Sequence, residues 1–339
     1  MMRRCSMDGD RRSQLATLAG LSRSTVEDHA GSESPYFPTL PATPIPHRSY
    51  QTVLKRVAAL HLRHLEGHKG GGMLVTGQSG SGKSFLGETY ASMFPRAEGP
   101  DGTRVPVLYA EAPPHPTIAS MPAVLLNALD APAARGGSTE QKETDRLVHF
   151  LSELGTEMIL LDEVNNLHDH AGRVVLSGVT DWIKSLGSRT DVPIVMFGLP
   201  RSTSVILRNM QLRRRFFGRM SLAPFSMNSE QSWREFRAVL KTLHRRTPVE
   251  AVQYSKQLLA RRFFYASSGL MDYLHKIINK AIEIAVREGR PISEATLAEA
   301  FATDVWDGCP DDQNPFLTAP ENLRLLTQPD EPFDDWDFS

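Results

Sequence analysis

The chain has 339 residues, with 38 Lys and Arg against 39 Asp and Glu, so its formal net charge at pH 7 is −1. A near-neutral chain has no overall basic field, so any binding of nucleic acid must depend on a local patch. No apolar run has membrane-spanning length, and the N-terminus lacks the apolar core of a signal peptide. The two cysteines, Cys5 and Cys309, indicate no disulfide framework. We therefore expect a cytoplasmic protein with no membrane partner, built from one large domain and one smaller domain.

The N-terminal part of the chain is polar up to about residue 45 and lacks a clear period, with prolines recurring from residue 35 onward. We expect a flexible arm that becomes an extended docking segment near residues 36–38. Apolar side chains at helical spacing then predict a helix over residues 49–66. A loop leads from this helix into a short apolar strand over residues 73–76.

A complete G-x-x-x-x-G-K-[ST] motif follows that strand and precedes a predicted helix over residues 85–94. This context favours a nucleotide site over a glycine-rich turn without a ligand. The glycines let backbone N–H groups surround a phosphate, and the helix start adds its positive dipole end. Lys83 is placed to reach the β- and γ-phosphates of ATP, and Ser84 to hold Mg²⁺. The predicted nucleotide-binding residues are Gly77, Gln78, Ser79, Gly80, Ser81, Gly82, Lys83, Ser84 and Phe85.

A second acidic motif lies about 80 residues after the loop, where the apolar run 158–161 ends in Asp162 and Glu163. Continuous apolar strands are typical of parallel sheets, and open α/β sheets bind ligands at the carboxyl ends of their strands. This is the Walker B arrangement. It predicts that Asp162 holds Mg²⁺ and that Glu163 polarises the water that attacks the γ-phosphate. The alternative is an acidic pair that is simply exposed to solvent.

Further elements alternate between strand and helix, which predicts an α/β fold with helices on both faces of a parallel sheet. They are a strand at 105–110, a helix from 122 to 129, a helix ending at 154 that Ser138 or Thr139 caps, a helix at 174–186 and a strand at 192–198. From about residue 227 the strands stop. Four amphipathic helices are predicted at 229–244, 255–266, 270–287 and 293–306.

The predicted organisation therefore has four parts: an arm over 1–45, a P-loop core over 46–226, a helical lid over 227–306 and an acidic tail over 307–339. We expect the Pro- and Asp-rich tail to be disordered, or to carry a short motif that docks on a partner. His168 and His170 flank Asp169, but two histidines at this spacing are weak evidence for a metal site.

A P-loop core followed by a helical lid resembles the AAA+ ATPases, with a three-layer sandwich fold. In that superfamily an arginine from a neighbouring subunit completes each catalytic site, where it stabilises transition-state charge. The segment 209–216 places Arg213, Arg214 and Arg215 between the last strand and the lid. We favour Arg215 for this catalytic role. The alternative is a solvated basic end of a helix.

The chain resembles the TniB/TnsC family of transposition regulators over about residues 35–305. The similar segments are the phosphate loop, 36–46, 107–113, 161–167, 192–200 and 211–216, and of these 192–200 and 211–216 are the more specific. The resemblance implies ATP-dependent assembly with copies of itself into rings or filaments on double-stranded DNA. It also implies a link between a TniQ-like target-selection protein and a DDE transposase, with ATP hydrolysis driving disassembly.

The resemblance further implies DNA contacts near the segment after the second strand. Candidates with suitable chemistry around the predicted helix start are Arg135, Ser138, Thr139 and Lys142, with Arg173 as a further candidate. The alternative is an ordinary capped helix with solvated charges. A second basic cluster near residues 241–246 is better explained as a solvated helix end that faces a partner or a neighbouring subunit.

The chain departs from the AAA+ pattern at two positions. The strand that ends at Gly198 has no Asn or Thr at the usual sensor position, and the lid segment 268–273 has no sensor arginine. Both departures favour a slow switch over a motor. Two other functions stay open: a helicase loader or origin-binding protein, although little chain follows the lid, and a scaffold that binds ATP without hydrolysing it.

Overall fold

The computed structural model describes residues 15, 17, 38–100, 102–132, 139–169, 173–208 and 210–334. These residues form two compact units. The first unit contains the described residues of 49–79 and 83–222 together with residues 15 and 17. The second contains 38–48, 80–82 and 223–334.

The first unit alternates helices and strands as the sequence predicts. Its elements in chain order are α1 (Arg48–Leu65), β1 (Gly72–Thr76), α2 (Lys83–Ser92), β2 (Ala97–Gly99), β3 (Gly102–Arg104), β4 (Val107–Glu111), α3 (Ser120–Ala128), α4 (Glu140–Glu153), β5 (Met158–Asp162), α5 (Asn166–Asp169), α6 (Arg173–Thr190), β6 (Ile194–Gly198), α7 (Thr203–Arg208), α8 (Met210–Arg215) and β7 (Phe216–Ser221). A 3₁₀ turn, Pro200–Ser202, lies between β6 and α7.

Five strands form one sheet in the order β4-β5-β6-β1-β7, and every neighbouring pair is parallel. The register pairs Val107 with Met158, and Met73 with Val195. β5 and β6 are buried along their whole length, which explains why their sequences are continuously apolar. The predicted α/β fold with a parallel sheet is confirmed.

Both faces of this sheet are covered, because successive side chains of each strand point to opposite faces. On β1, Met73 and Val75 pack with α1 and α2, whereas Leu74 packs with α3, α4 and α6. The core on the first face also includes Val53, Tyr90, Leu160 and Phe197. The core on the second face also includes Leu125, Leu147, Leu161, Trp182 and Met196. The unit is therefore a three-layer sandwich.

Among the strands of the first unit, the β2–β3 hairpin and the edge strand β7 were not predicted. The hairpin of β2 and β3 consists of three-residue strands with mostly exposed side chains, so it has no hydrophobic alternation to detect. The edge strand β7 follows α8 directly and contains Gly218 and Arg219, which interrupt any apolar pattern. Both elements depend on pairing with neighbours rather than on their own sequence.

The second unit is helical, with α9 (Glu230–Arg246), α10 (Gln257–Ser267), α11 (Met271–Glu288) and α12 (Glu294–Asp304). We call it the helical unit. Its core is rich in aromatic side chains, among them Phe236, Phe263 and Phe301. Gly80–Gly82 belong to this unit because the backbone N–H of Asp272 donates to the carbonyl of Gly80 at 3.1 Å.

The segment 38–47 forms neither helix nor strand and packs against the helices of the helical unit. The backbone N–H of Leu40 donates to Asn279 Oδ1 at 2.8 Å, and the Arg246 guanidinium donates to the carbonyl of Thr43 at 2.8 Å. Leu40 and Ile45 are buried in the same core as Phe236. Arg246, which we interpreted as part of a solvated helix end, therefore holds this segment. Most of the predicted flexible arm lies outside the described residues.

The expectation of a disordered tail is wrong for residues 307–334. Phe316, Leu326 and Phe333 are buried in the core of the helical unit. Asn314 Nδ2 donates to the carbonyl of Ala298 at 2.9 Å, and the buried Arg262 donates to the carbonyl of Pro315 at 2.6 Å. A few spaced aromatic residues supply this packing, although the average composition of the segment is acidic and Pro-rich. Residues 335–339 lie outside the described part of the chain.

None of the described helices is both long enough and apolar enough to cross a membrane.

Candidate nucleotide-binding site

The phosphate loop and the acidic motif lie at one edge of the sheet. β1 and β5 are parallel strands separated only by β6, so their carboxyl ends face the same way. The loop begins next to the end of β6, where the N–H of Gly77 donates to the carbonyl of Gly198 at 3.1 Å. This is the edge at which open α/β sheets bind ligands.

The loop itself turns through two glycines with left-handed backbone. Gly80 has φ +73° and Gly82 has φ +90°, a conformation that favours glycine. A Cβ added at Gly82 would meet no atom within 4 Å, so the backbone there faces open space. α2 begins at Lys83, two residues before the predicted start at Phe85, which places Lys83 and Ser84 in its first turn. The helix dipole therefore begins at the loop.

Lys83 is buried, with 7% of its surface exposed. Its Nζ donates to the carbonyls of Gly77 at 3.0 Å and Gln78 at 2.9 Å. Burial lowers the pKa of Lys83 below its usual value, and the charges of Asp162 and Glu163 oppose that shift. A buried ammonium group held by neutral carbonyls gains most from an anionic partner.

Other atoms of the loop fit a phosphate group as well. The hydroxyl of Ser81 is buried without a hydrogen-bond partner among the described residues. Such a group is costly to bury unless a ligand or water satisfies it. Phe85 is half-buried and packs against the core formed by α1 and α2, so it anchors the start of α2. Together with the open space at Gly82, these observations fit a bound nucleotide.

Asp162 ends β5 with 1% of its surface exposed, and both of its carboxylate oxygens accept hydrogen bonds. Oδ1 accepts from the backbone N–H of Glu163 at 2.7 Å, and Oδ2 accepts from the Tyr109 hydroxyl at 2.9 Å. Burial and the nearby charge of Asp162 raise the pKa of Tyr109, so its hydroxyl stays protonated and donates. Each carboxylate oxygen keeps a second lone pair for a metal ion or its water.

Further carboxylates surround Asp162. Burial raises the pKa of Glu88 above its usual value, and the charges of Asp162 and Glu111 add to this effect. Grouped negative charge favours a cation at this edge of the sheet. No group of three or more His, Cys, Asp or Glu side chains is arranged to hold a metal ion alone within the described chain. Proteins usually bind Mg²⁺ through one or two side chains together with substrate phosphates, as expected here for Ser84 and Asp162.

Glu163 adopts a backbone conformation that is rare for its residue type, with φ +54°. Such a residue stores about 1–3 kcal/mol of strain and persists only when its surroundings hold it. Two contacts do so: the backbone N–H of Val164 donates to the carbonyl of Phe197 at 3.0 Å, and Asn165 Nδ2 donates to Glu163 Oε2 at 3.0 Å. Asn165 is itself buried. The carboxylate of Glu163 is therefore fixed in one place.

Tyr109 and Asn165 are site residues that the sequence analysis missed. One signal for Tyr109 is present in the sequence: Gly87 lies inside α2, where glycine costs about 0.5–1 kcal/mol relative to alanine. A Cβ at Gly87 would lie 2.9 Å from Tyr109 Cε2, so the glycine makes room for the tyrosine ring. We find no comparable signal for Asn165.

β6 ends at Gly198, where a Cβ would lie 2.5 Å from Ser202 Oγ. This hydroxyl is fully buried and has no hydrogen-bond partner among the described residues. The sequence lacks an Asn or Thr at this end of β6, and the polar side chain that lies nearest to it in the structure is that of Ser202.

Asp169 belongs to the His-Asp-His segment that gave weak evidence for a metal site. Its carboxylate accepts two hydrogen bonds from Arg201, at 2.7 and 2.6 Å, and these lower the pKa of Asp169.

Of the three arginines at the end of α8, Arg215 turns toward its own chain. Its guanidinium donates to the carbonyl of Gly187 and to Ser188 Oγ, the latter at 3.0 Å. Burial lowers the pKa of Arg215. Arg213 and Arg214 are exposed. The structure therefore presents the two arginines that the sequence analysis did not favour.

The candidate DNA-binding residues are described only in part. Thr139 caps α4 as predicted, accepting a hydrogen bond from the backbone N–H of Lys142 at 3.4 Å, and the Lys142 side chain is exposed. Arg135 and Ser138 lie outside the described residues, as does the side chain of Arg173. An exposed lysine in the first turn of a capped helix fits either a phosphate contact or a solvated charge.

Comparison with known proteins identifies the family. Residues 42–227, more than half of the chain, match the model of the bacterial TniB protein, so the chain belongs to the TniB family. No curated protein is similar enough in sequence to count as a match.

Several solved structures share the fold at low sequence identity. The ORC2 protein of Aeropyrum pernix (ADPNP–ADP complexes) has a TM-score of 0.58 and 14% identity, covering 82% of this chain and 72% of its own. Cdc6p of Pyrobaculum aerophilum also has a TM-score of 0.58 and 14% identity, covering 87% and 72%. The ORC1 protein of Aeropyrum pernix in complex with DNA has a TM-score of 0.55 and 20% identity, covering 76% and 65%. The chain therefore has an AAA+ fold, and the family and the fold together support an ATPase.

Proposed function

We propose that this TniB-family chain is an ATP-dependent regulator of DNA transposition that assembles with copies of itself on duplex DNA. The observation that carries the proposal is the site at the sheet edge. There, the buried Lys83 is held by the phosphate loop, and Asp162 and Glu163 end a strand two positions away in the same sheet. This arrangement has the parts that phosphoryl transfer requires.

The residues of the site divide the work of ATP hydrolysis. Lys83 binds the β- and γ-phosphates, while the backbone N–H groups of 77–84 surround them. Ser84 and Asp162 would hold Mg²⁺, which would neutralise charge on the phosphates. Glu163 accepts the proton of the attacking water, and Asn165 keeps its carboxylate in place. One arginine of 213–215 from a neighbouring subunit stabilises the transition state.

Binding to DNA is supported by two observations. The ORC1 neighbour of similar fold was solved in complex with DNA. In this chain, Lys142 is exposed at a capped helix start. Because the net charge is −1, each subunit offers few phosphate contacts, and assembly multiplies them. The family resemblance adds a TniQ-like target selector and a DDE transposase as partners, with hydrolysis driving disassembly.

Two further functions have an observation in their favour. The strand that ends at Gly198 lacks the usual sensor Asn or Thr, which would suit a scaffold that binds ATP and hydrolyses it slowly or not at all. The likeness to ORC and Cdc6 proteins would suit an origin-binding protein or a helicase loader. Phosphate release with and without duplex DNA distinguishes the scaffold from the regulator. Stimulation by a transposase rather than by a replicative helicase distinguishes the regulator from the loader.

The direct test measures assembly on DNA by sedimentation with ATP, with ADP and without nucleotide. We expect assembly only with ATP, and none for Lys83→Ala, which loses the phosphate-binding charge. Lys256→Ala, an exposed lysine at the start of α10, is the matched control and should assemble like the parent. Assembly of Lys83→Ala with ATP would contradict the proposal, as would equal binding of DNA by the nucleotide-free monomer.

A further inference from the structure

The hydroxyl of Tyr109 is the one side-chain donor that the described residues place on Asp162. It lies 2.9 Å from Oδ2, while the other oxygen, Oδ1, accepts from the backbone N–H of Glu163 at 2.7 Å. Two donors on opposite oxygens define the plane of a carboxylate. Because Asp162 is almost completely buried, water cannot replace either donor without entering the core.

The position of the Tyr109 ring is itself tightly determined. Tyr109 lies on β4, paired in register with Leu160 of β5, so its backbone is fixed by the sheet. On the other side, the ring packs against Gly87 of α2, where an added Cβ would lie 2.9 Å from Cε2 and 3.3 Å from Cδ2. Gly87 is in turn one helical turn beyond Lys83 and Ser84. The ring therefore connects the helix that follows the phosphate loop with the strand that carries Asp162.

We propose that Tyr109 is a positioning residue that orients the Asp162 carboxylate for the Mg²⁺ ion of a bound nucleotide, and that Gly87 leaves the space this requires. The inference rests on the proposed function, since it assumes that the site binds a magnesium nucleotide. Partners that hold metal ligands in place typically change metal affinity or activity by about 10–100-fold when they are removed. The hydroxyl has no other hydrogen bond among the described contacts, so its removal by Tyr109→Phe isolates this one interaction.

The test measures the affinity of the protein for a fluorescent ADP as Mg²⁺ is titrated, with EDTA as the starting point. In EDTA, Tyr109→Phe should bind the fluorescent ADP with the same affinity as the parent. The Mg²⁺ concentration that gives half of the full increase in ADP affinity should be about tenfold higher in the variant than in the parent. Mn²⁺ binding followed by electron paramagnetic resonance gives a readout that does not depend on catalysis. Gly87→Ala should shift the Mg²⁺ titration in the same direction, with little further effect in the Tyr109→Phe background.

Tyr90→Phe is the matched control. Tyr90 lies on α2, as Gly87 does, and is fully buried, but its hydroxyl bonds to His61 Nδ1 at 2.9 Å and not to Asp162. The inference is overturned if Tyr109→Phe leaves the Mg²⁺ titration unchanged, or if both tyrosine variants shift it by the same factor. If the parent protein binds no nucleotide with or without Mg²⁺, the proposed function itself is wrong, and the role of Tyr109 is wrong with it.

Discussion

The side-chain amide of Asn165 holds the carboxylate of Glu163, with Nδ2 3.0 Å from Oε2, two residues along the same turn. The turn requires a left-handed backbone at Glu163, with φ +54°. The group that we assign as the catalytic base is therefore positioned twice, through its backbone and through its side chain. A base held in one geometry costs little reorganisation at the moment of reaction.

Replacing Glu163 by Gln should separate nucleotide binding from hydrolysis. The amide oxygen of glutamine can still accept from Asn165, so the local geometry should persist while the base is lost. We expect hydrolysis to fall by at least about 100-fold and ATP affinity to stay within about twofold of the parent. Phosphate release and binding of a fluorescent ATP measure the two quantities. Assemblies on DNA should become long-lived, and hydrolysis at the parent rate would exclude Glu163 as the base.

The backbone at Glu163 gives a prediction about stability. Glycine adopts φ +54° without strain, whereas alanine does not, so Glu163→Gly should be more stable than Glu163→Ala by about 1 kcal/mol. Urea denaturation measures the free energy of unfolding of each variant. Glu111, in the regular strand β4, is the control position, because there glycine should be less stable than alanine. Equal stability of the two Glu163 variants would show that this turn relaxes.

The three arginines at the end of α8 are best tested as a series. We expect alanine at the position that acts in trans to leave nucleotide binding intact and to lower hydrolysis by about 10³-fold or more. Mixing that variant with Lys83→Ala should restore part of the activity, since one junction then combines an intact loop with an intact arginine. Arg215→Ala should also lower stability, because it loses its hydrogen bonds to α6, whereas Arg213→Ala and Arg214→Ala should not. If no mixing ratio of the two variants restored ATP hydrolysis, a catalytic site completed between subunits would be excluded.

Lys142 gives a prediction about DNA. If it contacts a phosphate, Lys142→Ala should weaken ATP-dependent binding of duplexes of any sequence and make that binding less sensitive to salt. Combining it with Arg135→Ala should increase the effect while nucleotide affinity stays unchanged. Fluorescence anisotropy at several salt concentrations measures how steeply the affinity for DNA falls as the salt concentration rises. The same loss in Lys256→Ala, an exposed lysine at the start of α10, or a strong preference for one base sequence, would contradict a phosphate contact at this helix start.

His47 gives a prediction about pH. Burial lowers its pKa from 6.5 to about 4 in the folded state, where its ring packs on Phe225 at 5.0 Å. Because the unfolded chain binds this proton more tightly, stability should fall as the pH drops from about 6.5 toward 4. Between pH 7 and pH 5, protonation of His47 in the unfolded chain should lower the free energy of unfolding by about 2 kcal/mol. Urea denaturation of the parent and of His47→Gln should show a smaller pH effect in the variant, with the exposed His149→Gln as the control.

The sequence predicted the elements that have their own signal. The phosphate loop, the strand ending in Asp162 and the amphipathic helices of the helical unit are encoded in local motifs and periodicity, and each was placed to within a few residues. Either Ser138 or Thr139 was predicted to cap this helix, because capping depends on neighbouring residues alone, and Thr139 does so.

The features that were missed depend on residues far apart in the chain. Tyr109 meets Asp162 across 53 positions, so no local pattern relates them. The contact of Arg215 with Gly187 was not predicted either, because it forms only once α6 and α8 pack together. The stretch 307–334 was expected to be disordered because composition averages over the few aromatic residues that anchor it.

The core of the helical unit contains residues that come before the first unit in the sequence and residues that follow α12, which limits how the protein can be shortened. Leu40 and Ile45 are of the first kind, and Phe316 and Phe333 are of the second. Deleting residues 307–339 as a dispensable tail would uncover Phe263 and Tyr273, which pack against those two aromatic rings. Such a deletion should yield an insoluble product even though it removes no residue of the phosphate loop or the sheet. Loss of activity in this variant would therefore say nothing about transposition.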